Sequence, residues 1–151
     1  MSVIRFRSIT LVLIVVMLIL SACQPASNGP QIVTSGAWGR PSPKMAMAGA
    51  VYVTIKNKGN EADRLISAST TAAKTVELHE SYMDENGVMG MRPLEGGLEI
   101  PAGETAKLEP GGNHIMLIDL VEPLVPGTKI TVTLQFEKSG EIELEVEIKA
   151  Q

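Results

Sequence analysis

From Ile32 onward, apolar and polar residues alternate with a period of two, in short runs broken by turn signals. "AVYVTIKN" (50–57) ends at "NKGN", "KTVELHESYM" (74–83) leads into "DENG", and "VMGMRPL" follows it. After "PAGE" (101–104) come "TAKLEPGG" and "HIMLIDL". "TKITVTLQF" (128–136) and "EIELEVEIK" (141–149) are joined by "EKSG". In an extended chain, residues i and i+2 share a face, so each run is built to be buried on one side and wet on the other. No run of ten or more residues carries a helical period. The chain is therefore expected to be all-β, with about eight antiparallel strands forming a sandwich or Greek-key barrel. Four aromatics stand in this region, Trp38, Tyr52, Tyr82 and Phe136. The core is thus expected to be mostly Val, Ile, Leu and Met.

The first 31 residues follow a different logic. Arg5 and Arg7 precede an unbroken apolar run from Leu11 to Leu20, and small residues follow it. That run is short for a bilayer-spanning helix and reads as an export signal. Leu20-Ser21-Ala22-Cys23 resembles the bacterial lipobox, in which the Cys becomes the lipidated first residue. The division expected is a signal over residues 1–22, a lipidated Cys23 and tether over 23–31, and one β domain over 32–151. An uncleaved anchor is the alternative. Either way the domain faces outward from the cytoplasmic membrane, on the periplasmic or outer-surface side, held to the membrane through its anchor.

Cys23 is the only cysteine, so the domain has neither an internal disulfide nor a thiolate. Of the 13 basic residues, Arg5 and Arg7 lie in the signal, which leaves 11 against 17 acidic. A nucleic-acid surface needs clustered Lys and Arg, and none is present. Catalysis is also poorly provided for. Only two histidines occur, His79 and His114, with no Ser or Cys motif beside them and no Gly-rich phosphate loop after a strand. The chain does not read as an enzyme.

Methionine is the informative residue type. Met45, Met47, Met83, Met89, Met91 and Met116 all lie beyond the signal, several near a histidine in sequence. Taken singly, each is most simply a core filler. Together, thioether and imidazole suit a soft monovalent ion such as Cu(I), and Met escapes the oxidation that a free thiol meets outside the cytoplasm. His114 and Met116 share a strand face after a Gly-Gly turn, which is either packing or half of a metal site. His79 and Met91 flank the hairpin around "DENG". An odd number of loop residues, or a bulge, puts them on one side; a two-residue Asn86-Gly87 turn in perfect register puts them on opposite sides. Met83 shares parity with His79, and Met89 with Met91, so both are candidate auxiliary donors. Met45 and Met47, after "RPSPK", are candidates for a rim.

The spacing resembles the signature of the PCu(A)C-type periplasmic copper chaperones: a His, a Met about a dozen residues on, then His-x-Met about two dozen later. Here eleven residues separate His79 from Met91, and twenty-two more precede His114-Ile115-Met116. "AWGRPSP", "GAVYVTIKNKG", "ADRLISAST", "VELHE", "GVMGMRP", "IPAGETAKLEPGGNHIML" and "PLVPGTKITVTLQF" match as well, so the resemblance runs from Ala37 to Phe136. It implies a cupredoxin-like β-barrel holding one Cu(I) through His79, Met91, His114 and Met116. It also implies delivery of copper to the Cu(A) subunit of cytochrome c oxidase or to an oxidase assembly factor; the chain is expected to act as a monomer. Some members have Met directly after the first His, where this chain has Glu80. Others carry a Met- and His-rich tail for a second ion; this chain ends at "EIKAQ", and no such site is expected. Affinity is expected to decline in mildly acidic solution, as imidazoles take up protons. A blue-copper electron carrier would need a thiolate and is rejected. The competing readings are a copper scavenger or buffer, and a structural or adhesive β module without metal.

Overall fold

The computed structural model describes residues 29–43 and 47–150. The export signal, Cys23, most of the tether and Met45 lie outside the described residues. Ten strands follow one another: β1 (Ile32–Gly39), β2 (Ala48–Asn57), β3 (Asp63–Ser69), β4 (Ala73–Met83), β5 (Met89–Pro93), β6 (Leu98–Ile100), β7 (Thr105–Leu108), β8 (His114–Leu120), β9 (Lys129–Phe136) and β10 (Gly140–Ile148). They make one unclosed sheet in the order β5-β4-β8-β2-β1-β10-β9-β3-β6. β7 and β8 both pair with β2, β7 along Val53–Lys56 and β8 along Ala48–Val51.

The fold class is the expected one, with two differences. There are ten strands where the alternating runs indicate about eight. β3 hides because a register irregularity between Leu65 and Ser67 breaks its period, and β6 is only three residues long. One pairing, β1 with β10, is parallel. These strands lie far apart in the chain, so no tight turn dictates their relative direction.

One continuous core fills the folded sheet. Val51, Val53 and Ile55 from β2, Leu78 from β4, and Ile115 and Leu117 from β8 face Leu65, Val132, Leu134, Phe136, Val146 and Ile148. The expectation that methionine helps to fill this core is wrong. Among the described residues none does: Met47, Met83, Met89 and Met91 are 58%, 65%, 53% and 62% exposed, and Met116 is half-buried on the outer face. β-Branched residues and leucine, which pack well on a pleated surface, suffice without it.

Two buried polar side chains tie the end of the sheet where β1 begins. The Asn57 carbonyl accepts from the N–H groups of Gln31 (3.1 Å) and Gly59 (2.9 Å). Its amide donates to the carbonyls of Glu61 (2.7 Å) and Ile100 (3.2 Å). Asp63 accepts from the N–H groups of Arg64 (2.8 Å), Lys138 (2.9 Å) and Ser139 (3.0 Å), pinning β3 to the β9–β10 turn. Burial pushes the Asp63 carboxyl up, but the Ser139 side chain and these backbone donors outweigh it and hold it below the ordinary 3.8.

Asn57→Leu leaves four backbone groups unpaired and is expected to lower unfolding stability by about 3 kcal/mol, measured in urea. A carboxyl depressed in the folded state contributes stability that is present above its unfolded value and is lost as pH falls through its folded value. The stability difference between wild type and Asp63→Asn is therefore expected to hold from neutral pH down to the ordinary 3.8, and to shrink only below it.

Candidate metal centre

The register of three strands gathers the donors. His79 on β4 stands opposite His114 on β8, and Glu77 opposite Met116. Across β4 and β5, Ser81 stands opposite Met91, and His79 opposite Pro93. Cross-strand partners share a face, as do residues two apart. His79, Ser81, Met91, His114 and Met116 therefore lie on one face, turned away from the core that holds Leu78, Ile115 and Leu117.

The hairpin settles the parity left open by the sequence. Glu85-Asn86-Gly87, three residues, separate Asp84 from Val88, whose carbonyl accepts from the Asp84 N–H at 2.9 Å. The Asp84 carboxylate accepts from the N–H groups of Asn86 (2.9 Å) and Val88 (2.8 Å), and Gly87 takes φ +77°. The loop is odd, so Met91 faces the side of His79. Glu80, by the same alternation, lies on the other face and pairs with Arg92 at 2.6 Å. A Met in its place would point away from His79.

The Gly-Gly turn explains the position of His114. Glu109 N–H donates to Asn113 O at 2.8 Å, Gly112 N–H donates to Glu109 O at 3.0 Å, and Gly111 has φ +80°, which favours glycine. The turn aims the Gly112 carbonyl at two donors, His114 Nδ1 at 3.0 Å and Ser81 N–H at 3.2 Å. A carbonyl only accepts, so His114 carries its proton on Nδ1 and, when neutral, leaves a lone pair on Nε2. His79 has the opposite tautomer: its Nε2 donates to the Glu77 carboxylate at 2.8 Å, which leaves a lone pair on Nδ1. A carboxylate holding one ring nitrogen is a recurrent way of orienting a metal-binding histidine.

Both free nitrogens are buried without a hydrogen-bond partner. Among the described residues, four buried side-chain polar atoms have none, and three of them are His79 Nδ1, Ser81 Oγ and His114 Nε2. Each such orphan costs roughly 1–3 kcal/mol, so their gathering on one sheet face is a stored cost that a ligand would relieve. His114 is 3% exposed, and its ring lies edge-on to His79 with centroids 5.8 Å apart. Tyr52 and then Trp38 continue the row of rings, Tyr52 at 6.4 Å from His114 and Trp38 at 4.5 Å from Tyr52. An irregularity in β1 between Ser35 and Trp38 brings Trp38 opposite Tyr52.

Met91, His114 and Met116 line one concavity of about 250 Å³, rimmed by Arg40, Pro41, Ser42 and Pro43. His79 does not line it and meets it through His114. Met83 and Met89 stand opposite each other at the hairpin tip, on the same face but outside the concavity. Met47 is exposed, close in sequence to the rim. Sequence reasoning missed Glu77, Ser81 and the Gly112 carbonyl. Only the spacing Glu-x-His, which puts both side chains on one strand face, could have pointed to Glu77.

The arrangement presents two imidazole nitrogens and two thioethers, a donor set for a soft monovalent ion. Among the described residues, no three His, Cys, Asp or Glu side chains gather as a metal site. It is the thioether and imidazole donors themselves that fit a soft monovalent ion better than a hard divalent one.

The fold is that of a small β domain, cupredoxin-like as in PCuAC domains. The copper-bound PCuAC domain of PmoF2 superposes with a TM-score of 0.65 at 20% identity, covering 82% of this chain and 99% of that domain. The Cu(I) form of DR1885 from Deinococcus radiodurans superposes at 0.64 with 28% identity, covering 83% of each chain. In sequence, the family described as "Putative lipoprotein LpqE-like" matches residues 32–148, and the chain belongs to that family. The protein named "Putative lipoprotein Lxx21020", from Leifsonia xyli subsp. xyli, is 37% identical over 131 residues, which is 85% of this chain and 76% of that one.

The hydrogen bonds to Glu77 and Gly112 predict different tautomers for the two rings, Nε2–H for His79 and Nδ1–H for His114. Long-range nitrogen–proton correlation spectra in mildly alkaline solution are expected to show one of each. Glu77→Ala is expected to release the His79 tautomer alone.

Proposed function

We propose that this protein is an extracytoplasmic metallochaperone that binds one Cu(I) through His79, Met91, His114 and Met116. The observation that carries this reading is the pair of buried, unpartnered imidazole nitrogens, each with its other nitrogen already committed, beside two thioethers on the same face. The similarity to the Cu(I) form of DR1885 supports it. A lipid on Cys23, after removal of residues 1–22, would hold the domain of residues 32–151 to the membrane through the tether; the lipoprotein relatives support this part. The acceptor in this reading is the Cu(A) centre of cytochrome c oxidase, reached directly or through an assembly factor, as the PCu(A)C resemblance implies.

Release follows from the donors. The ion is cargo, and no bond other than its own ligand bonds is made or broken, so the protein acts without catalysis. Thioethers are neutral, and Met91 is 62% exposed. An incoming donor from a partner can take the place of Met91 first, while the buried imidazoles still hold the ion. The remaining ligands are then exchanged in turn.

A Cu(I) competition titration of the purified protein against a chromophoric chelator tests this reading. Wild type is expected to hold one equivalent, and to hold Cu(II) more weakly because thioethers disfavour the harder ion. Glu77→Ala is expected to lose roughly 10–100-fold in affinity, as removal of an outer-shell partner does elsewhere, and His114→Ala and Met116→Ala to lose more. Equal affinity for both oxidation states, or no competition by wild type, would sink the proposal and leave a structural β module.

A further inference from the structure

The hairpin tip carries a second set of soft donors. Asp84 N–H bonds to Val88 O at 2.9 Å, and Leu94 N–H to Leu78 O at 2.8 Å, which marks these as hydrogen-bonded pairs of the β4–β5 ladder. By the alternation of an antiparallel ladder, Met83/Met89, Ser81/Met91 and His79/Pro93 are the non-hydrogen-bonded pairs, in which side chains come closest. All three rungs present the same face. Met83 and Met89 are thus held side by side, one rung from Met91, and two rungs from His79.

Their exposure needs a cause. Met83 is 65% and Met89 53% exposed, so neither fills the core, and each stands opposite the other on the sheet. The tip beneath them is firmly built. The Asp84 carboxylate closes the turn through two backbone N–H groups, and the opposite face is braced by Arg92, which lies 5.0 Å over the Tyr82 ring and pairs with Glu80. Two exposed thioethers are therefore presented to solvent on a fixed support.

We propose that Met83 and Met89 form a surface station for a soft monovalent metal ion, which passes from there to Met91. The inference rests on the Cu(I) reading of the centre above. The ion stays monovalent throughout, so no electron moves, and each thioether lone pair is simply replaced by the next. Successive same-face positions along a strand lie about 7 Å apart, a step that two methionine side chains with three rotatable bonds each can bridge. Met91 belongs both to the station's face and to the wall of the concavity, and so is the link between them.

The test uses the full chain labelled with carbon-13 at the methionine methyl groups, titrated with Ag(I) as a redox-silent probe for Cu(I). The methyl signals are assigned from single Met→Leu variants. Met83 and Met89 are expected to shift together, after or alongside Met91 and Met116. In Met83→Leu/Met89→Leu, chelator competition for the first Cu(I) equivalent is expected to stay within about twofold of wild type. Loading from a Cu(I)–chelator complex is expected to slow about tenfold, the low end of the range over which variants of one interaction change an association rate. Unmoved Met83 and Met89 signals through two equivalents overturn the station and leave an exposed apolar patch. An unchanged loading rate overturns the transfer step. Shifts at Met83 and Met89 support the station whether or not Met91 and Met116 respond, so its failure and that of the main centre are read separately.

Discussion

The register of β4 against β8 is the constraint on which the rest depends. It places His79 opposite His114, and Glu77 opposite Met116, on the face that the core does not use. A slip of one residue would send one strand's donors into the hydrophobic interior and its Leu78 or Ile115 and Leu117 into solvent, so burial of those apolar side chains enforces the register. The fold thus positions the site by packing on the far side of the same strands. The Gly112 carbonyl adds a local pin, since it bonds both His114 and the backbone of Ser81, the residue opposite Met91.

Much of this was legible in the sequence because a β-strand writes its two faces in alternate letters. The all-β class, the β9–β10 hairpin and the shared face of His114 and Met116 all follow from period two. What was not legible depends on pairing. Whether His79 and Met91 share a side turned on the loop between Asp84 and Val88, and the three-residue outcome is fixed by the Asp84 carboxylate, not by the Asn-Gly dipeptide alone. The roles of Glu77 and of the Gly112 carbonyl needed the tautomers, which come from partners in the folded chain. β3 escaped notice because its irregularity between Leu65 and Ser67 erases the alternation.

Methionine shows how a sound general expectation can fail in a particular chain. A core short of aromatics invites Met as filler, yet this one closes with Val, Ile, Leu, Ala68, Ala73 and a single Phe136. The thioethers that the core does not need are placed on the outer face, along β5, at the tip of β4 and on β8. Apolar side chains left in water on one side of one hairpin call for an explanation beyond packing, and soft-metal chemistry supplies one.

The burial gradient across the donors has a thermodynamic consequence. His114 is enclosed, and both rings are already fixed by hydrogen bonds, so an ion held by these four side chains would find its nitrogen ligands ordered in advance. Met91 is free in solvent, and fixing a methionine costs up to about 1.5–2 kcal/mol of side-chain entropy. The entropy of capture would then fall on the thioethers, and mostly on Met91. Its return on release would help to make the exposed methionine the first bond to open.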